Sequence, residues 1–105
     1  MSSPDEGRPD ALTAAIVAYV GYGVHRTPVD DRDAVLALDP IHGARTLELV
    51  EAIVRASDTL HIPLKAFGKE NMSVLFGAEF DKIWPGLSEQ ALYALTWRWA
   101  YNEFS

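Results

Sequence analysis

The sequence predicts an all-α fold, a compact bundle of four to five short helices, and three observations carry that prediction. Apolar side chains recur at spacings of three and four along most of the chain, the period of one helix face. The stretches that do so are separated by capping and turn residues: Gly21-Tyr22-Gly23, Asp30-Asp31, Asp39-Pro40 and Pro85-Gly86-Leu87-Ser88. The chain has 105 residues, 49% of them hydrophobic and 23% charged, and no cysteine. That is enough for one core in one domain, held without disulfides.

Residues 1–9 contain Ser, Pro, Gly and charge with no apolar anchor after Met1. We expect a flexible acidic tail there and a single folded domain over 10–105. Asp10 can cap a first helix running from Ala11 to about Val20, with Leu12, Ile16 and Tyr19 on one face. Four β-branched residues in that stretch would also suit a buried strand, and the alanines decide for helix. Gly21-Tyr22-Gly23 ends it. Val20-Gly21-Tyr22-Gly23 repeats the letters of a potassium-channel filter without flanking pore helices, and Arg26 stands where a dinucleotide loop needs glycine.

Asp30 is expected to cap a short helix through Leu38, with acids in its first turn where the helix dipole favours them. Asp30, Asp31 and Asp33 do not make a calcium loop, because Ala34 and Val35 follow where ligands and a glycine would be needed. Asp39-Pro40 starts the most regular helix, Pro at N1 behind an Asp cap, running to about Ser57. Its inner face is Leu47, Val50, Ile53, Val54 and Ser57. Arg45, Glu48, Glu51 and Arg55 form the wet face, with Glu51 and Arg55 at the supportive i, i+4 spacing.

From Asp58 to Phe67 the pattern is ambiguous. Leu60, Ile62 and Leu64 alternate as an edge strand does, but Pro63 removes a ladder donor and could equally open a short helix. A hairpin pairing 60–64 with 72–76 gives the alternative fold, α+β. Gly68-Lys69 lacks the other residues of a phosphate loop. Met72, Leu75, Phe76, Phe80 and Ile83 fall at helical spacing with Gly77 as a weak point, and Trp84 closes the element as a core plug.

The last helix, behind Ser88 as N-cap, holds five of the chain's aromatics. Leu87 and Leu92 have the spacing of a hydrophobic staple. At about 100° per residue its apolar side chains form two arcs. Ala91, Leu92, Leu95 and Trp99 make the first; Tyr93, Ala94, Trp97, Ala100, Tyr101 and Phe104 make the second. Such a helix is either central to a core or shared with a partner. The Trp and Tyr side chains, apolar with a polar tip, mark Tyr93, Trp97, Tyr101 and Phe104 as the candidate contact residues.

The formal net charge of −6, with nine basic residues scattered singly, argues against nucleic acid and anionic membrane as main partners. The uncharged run Ala11–Val24 is too short to span a bilayer, and its acidic flank is unlike a signal peptide, so we expect a cytoplasmic protein. His25, His42 and His61 never fall at i, i+3 or i+4, and no serine stands in a nucleophile motif. We therefore name no catalytic residue, metal ligand or cofactor. Two functions remain. The first is a non-catalytic module that binds or neutralises a protein partner, or assembles with itself as a homodimer or larger homo-oligomer, through its last helix. The second is a small-molecule binder or small enzyme with a pocket walled by Tyr19, Tyr22, Trp97 and Trp99, to which His25 or Arg98 adds polarity.

Overall fold

The computed structural model describes residues 10–62 and 72–104, for Phe104 the backbone alone. Among the described residues there are five α-helices and no strand: α1 Ala11–Val20, α2 Arg32–Leu38, α3 Gly43–Ser57, α4 Met72–Ile83 and α5 Glu89–Phe104. The fold is an all-helical bundle. Its two most distant helices in sequence, α1 and α5, make the most extensive pairing. α2 and α3 pack on each other and on α1, α3 also reaches α5, and α4 rests chiefly on α5.

The starts of α1, α2 and α5 are set by a side-chain oxygen taking up an orphan N–H of the first turn. Asp10 Oδ1 accepts from Thr13 N at 2.6 Å, Asp31 Oδ1 from Ala34 N at 3.0 Å and Ser88 Oγ from Ala91 N at 3.1 Å. Ser88 also lies 2.5 Å from Thr13 Oγ1, hydroxyl to hydroxyl, so the cap of α5 is tied to a buried turn of α1.

The core takes Ala15, Ile16, Tyr19 and Val20 from α1, Val35 from α2 and Leu47, Val50, Ile53 and Val54 from α3. Phe76 and Phe80 come from α4, and Ala91, Ala94, Leu95 and Trp99 from α5. Phe76 is central, its ring 5.5 Å from Phe80 and 5.7 Å from Trp99. The inner face read for α3 is buried in full, including Ser57, whose hydroxyl donates to Val54 O at 2.6 Å. Leu87 and Leu92 both pack against the core, as a staple requires.

Four expectations are corrected. The hairpin fails because Met72–Phe76, its second strand, is the first turn of α4; its first half beyond Ile62, the helix alternative at Pro63 and the Gly68-Lys69 pair lie outside the described residues. The same is true of the tail 1–9. The cap of α2 is Asp31, not Asp30. Val29 N donates to Val20 O and Asp31 N to Tyr19 O, tying the preceding segment to the end of α1 and delaying the helix by one residue. α3 begins at Gly43 rather than Pro40. Asp39 Oδ1 accepts from both Ile41 N and His42 N, which folds 40–42 into a turn ahead of the helix. Glu51 pairs with Arg32 of α2 at 3.8 Å instead of with Arg55.

Two glycines set helix approaches. A Cβ on Gly43 would lie 3.0 Å from Leu36 Cα and 3.2 Å from Leu36 O, so α3 starts where α2 leaves no room for a side chain. Among the described residues a Cβ on Gly77 would meet only Leu92 Cδ1, at an ordinary 3.6 Å. The two sites should respond oppositely to alanine. Gly77→Ala should stabilise the fold by about 0.5–1 kcal/mol through helix propensity. Gly43→Ala should destabilise it by about 1–3 kcal/mol, because backbone must move. Urea unfolding of both variants measures this, and equal signs would refute the packing argument.

Candidate aromatic contact face

The two arcs of α5 have different fates. Ala91, Leu95 and Trp99 of the first are buried and Leu92 is half-buried. The Trp99 indole N–H donates to Leu60 O at 3.1 Å, which anchors the ring to the chain leaving α3. Among the described side chains of the second arc only Ala94 is buried. Trp97 and Ala100 are half-buried, whereas Tyr93 and Tyr101 are each 44% exposed. Tyr93, Trp97 and Tyr101 thus form an outward stripe at i, i+4, i+8. Phe104 ends the helix; its side chain lies outside the described residues.

Tyr22 extends this stripe across to α1. Its ring meets Trp97 edge-on, centroids 5.6 Å apart and planes at 67°, the arrangement that opposed ring quadrupoles favour. The geometry that places Tyr22 is the left-handed cap of α1 at Gly21, φ 79°, whose N–H returns to Val17 O. A side chain at Gly21 would also collide with the His25 ring, since a Cβ would come within 2.6 Å of its Cδ2. His25 therefore folds over the glycine while remaining exposed.

Arg98 is engaged elsewhere. Its guanidinium forks onto Asp58, Nη1 to Oδ1 at 2.5 Å and Nη2 to Oδ2 at 3.4 Å, and its side chain is only 13% exposed. Asp58 caps the C-terminal end of α3, where the helix dipole opposes a carboxylate, and Arg98 offsets that opposition. The pair joins α3 to α5 and leaves no free cation beside the aromatic stripe from this residue.

Two phenols are perturbed. Tyr93 donates its O–H to Glu89 Oε1 at 2.9 Å, and that hydrogen bond, with the carboxylate's charge, pushes its pKa upward. Tyr19 is raised as well, first by burial and then by the charges of Asp30 and Glu51, with Arg98 and Arg32 partly offsetting. At the other end of the molecule the Asp39 carboxyl is held below its ordinary value, chiefly by the His42 backbone N–H.

The pocket expected between Tyr19, Tyr22, Trp97 and Trp99 is not assembled. Trp97 and Trp99, two residues apart, project about 200° apart around the helix: one ring meets Tyr22, the other lies in the core on Phe76. Two other hollows are present. A groove of about 200 Å³ between α4 and α5 is lined by Ser73, Val74, Gly77, Ala78, Glu89, Leu92 and Tyr93. A pocket of about 220 Å³ between α1, α2 and α3 is lined by Ala11, Ala14, Ala15, Val35, Leu38, Asp39 and Thr46. The groove extends the stripe past Tyr93 to Val74, 69% exposed, which the sequence reading passed over. Its signal was an apolar residue off the Met72, Phe76, Phe80 face of α4.

His25, His42 and His61 are all exposed, and His42 Nδ1 lies 3.2 Å from Asp39 Oδ2. Among the described residues no group of three His, Cys, Asp or Glu could hold a metal ion, and no helix is long and apolar enough to cross a membrane. Comparison with protein-family models, with curated proteins and with solved structures finds no match for this chain.

The raised Tyr19 pKa has a definite consequence. The unfolded chain releases this proton at the ordinary value of 10.0, while the folded chain keeps it to higher pH. The native state therefore binds more protons, and stability must fall as pH rises from that value toward the folded pKa. Urea midpoints measured from about pH 9 to 11 should decline less steeply for Tyr19→Phe than for the natural chain. Parallel declines would show that Tyr19 is not the group responsible.

Proposed function

We propose that the chain is a non-catalytic protein–protein interaction module acting in the cytoplasm. Its contact face is the stripe Tyr93, Trp97 and Tyr101, with Tyr22 beside it and Phe104 at its end. The observation that carries this reading is that Tyr93 and Tyr101 lie exposed, with Trp97 half-buried between them, on one side of α5 while the opposite side is locked into the core. Aromatic side chains with polar tips are the ones most enriched at protein contacts and most costly to truncate there. The acidic balance of the chain further favours a protein partner over nucleic acid.

A second reading, a small-molecule binder, is favoured by the pocket between α1, α2 and α3. Three alanines of α1, with Val35 and Leu38, make an apolar lining, and Asp39 and Thr46 supply the polar groups. This is a different place from the aromatic walls expected from the sequence. Ala14→Leu would fill it and abolish any ligand-induced rise in melting temperature.

The first reading is tested by solution mass over a wide concentration range, combined with capture of partners by natural and variant chains. Trp97→Ala and Tyr101→Ala should leave the monomer folded and weaken association by about 2 kcal/mol or more each. The weakening is read as loss of a dimer or as loss of a partner retained by the natural chain. Mass and capture that are both indifferent to these substitutions would overturn the proposal, as would variants that unfold because the stripe is core.

A further inference from the structure

The groove between α4 and α5 adjoins the aromatic stripe and has a polarity of its own. Its floor is apolar and shallow because Gly77 and Ala78 carry little or no side chain opposite Leu92. Its walls are Val74 and Tyr93, both exposed. Among the described residues the one charged side chain that lines it is acidic: Glu89, in the first turn of α5, which also accepts a hydrogen bond from the Tyr93 hydroxyl. Asp81 lies in line with Gly77 and Ala78, four and three residues further along α4, toward the Pro85-Gly86 turn. Lys82, the basic residue of that helix, is paired with Glu79 at 3.1 Å. Apolar floor, aromatic wall and acidic end therefore occur in one groove on a chain of net charge −6.

That combination selects its occupant. A second copy of this chain would bring the same excess of negative charge to the groove, whereas a cationic segment gains at the acidic end what its apolar side chain gains on the floor. We infer that the groove docks a basic amphipathic segment of another protein, an apolar side chain seated over Gly77, Ala78 and Leu92 and a Lys or Arg directed to Glu89. This rests on the interaction reading above and names its partner chemistry. A volume of about 200 Å³ admits one large side chain, so recognition is by an anchor residue with a neighbouring cation rather than by a long apolar strip.

The probe is a short amphipathic helical peptide of leucine and lysine, compared with its leucine and glutamate counterpart, titrated into the full chain and followed by amide NMR shifts. The lysine peptide should shift Val74, Gly77, Leu92 and Tyr93 saturably and bind more weakly as salt rises, and the glutamate peptide should not. Glu89→Gln should weaken binding about fivefold, the loss of one charge contact. Asp33→Asn removes an equal charge from the same kind of position, the first turn of α2, and should change it less than about twofold. Val74→Lys, at an exposed site that does not threaten the fold, should also weaken binding. An equal response to Glu89→Gln and Asp33→Asn would reduce the effect to attraction by net charge and overturn the inference. So would shifts that avoid the groove, or groove shifts produced by concentrating the chain alone, which would place a second copy there. Association that is lost in Tyr101→Ala but untouched by Glu89→Gln would sink the groove while leaving the aromatic face in place.

Discussion

The structure depends on the pairing of its first and last described helices. α1 and α5 are separated by nearly the whole chain, yet every other described helix packs on one or both of them. Closing so long a loop costs conformational entropy before any contact is made, so the pair must be well determined. Both helices bury small residues, Ala15 on one and Ala91 and Ala94 on the other, beside Ile16 and Leu95. Small side chains let helix axes approach closely. The Thr13 and Ser88 hydroxyls then fix the register, because a slide of one helix along the other would separate two polar groups, one of them on a fully buried threonine.

That dependence explains the unlike roles of the remaining helices. α3 contributes the broadest inner face and is the most amphipathic element, so its contribution is burial of Val50 and Ile53, each worth about 1.5–3 kcal/mol on an area basis. α2 is short and buries only Val35 in full, and it is held by close approach to Gly43 and by the ladder of Val29 and Asp31 onto the end of α1. α4 rests on α5 through Phe76 and Phe80 and presents its other side, with Val74, to solvent.

Much of this was legible in the residues, and the parts that were not have specific causes. The face of α3 could be read because its period is unbroken, and the caps at Asp10 and Ser88 because an N-cap is a local bond. Asp30 and Asp31 are equally good caps by type. The choice between them fell to a backbone hydrogen bond from Asp31 to Tyr19, a tertiary contact that no local pattern encodes. Arg98 and Glu51 have the same lesson in electrostatics. Each is charged and at a plausible surface position, but their partners, Asp58 and Arg32, lie on other helices. The sequence divided α5 into two apolar arcs and ranked them by residue type alone, marking the second for contact, since which one faces α1 and α4 is not written locally.

The ranking, once made, is hard to reverse, and this is what gives the outer stripe its meaning. Trp97 and Trp99 lie on nearly opposite sides of α5, so rotating the helix to cover one exposes the other. Trp99 holds its place with an indole bond to Leu60 and a ring contact with Phe76, and Arg98 between them is clamped to Asp58. Exposing Trp99 would forfeit a large aromatic burial, of the order of 3–5 kcal/mol when such a side chain is lost from a core, and would break the Arg98 clamp besides. The monomer therefore has no inexpensive way to bury Tyr93, Trp97 and Tyr101 by turning α5. The exposure of Tyr93 and Tyr101, with Trp97 half-buried between them, follows from the way the inner face is fastened, and apolar surface that its own chain cannot cover by that route is surface available to another molecule.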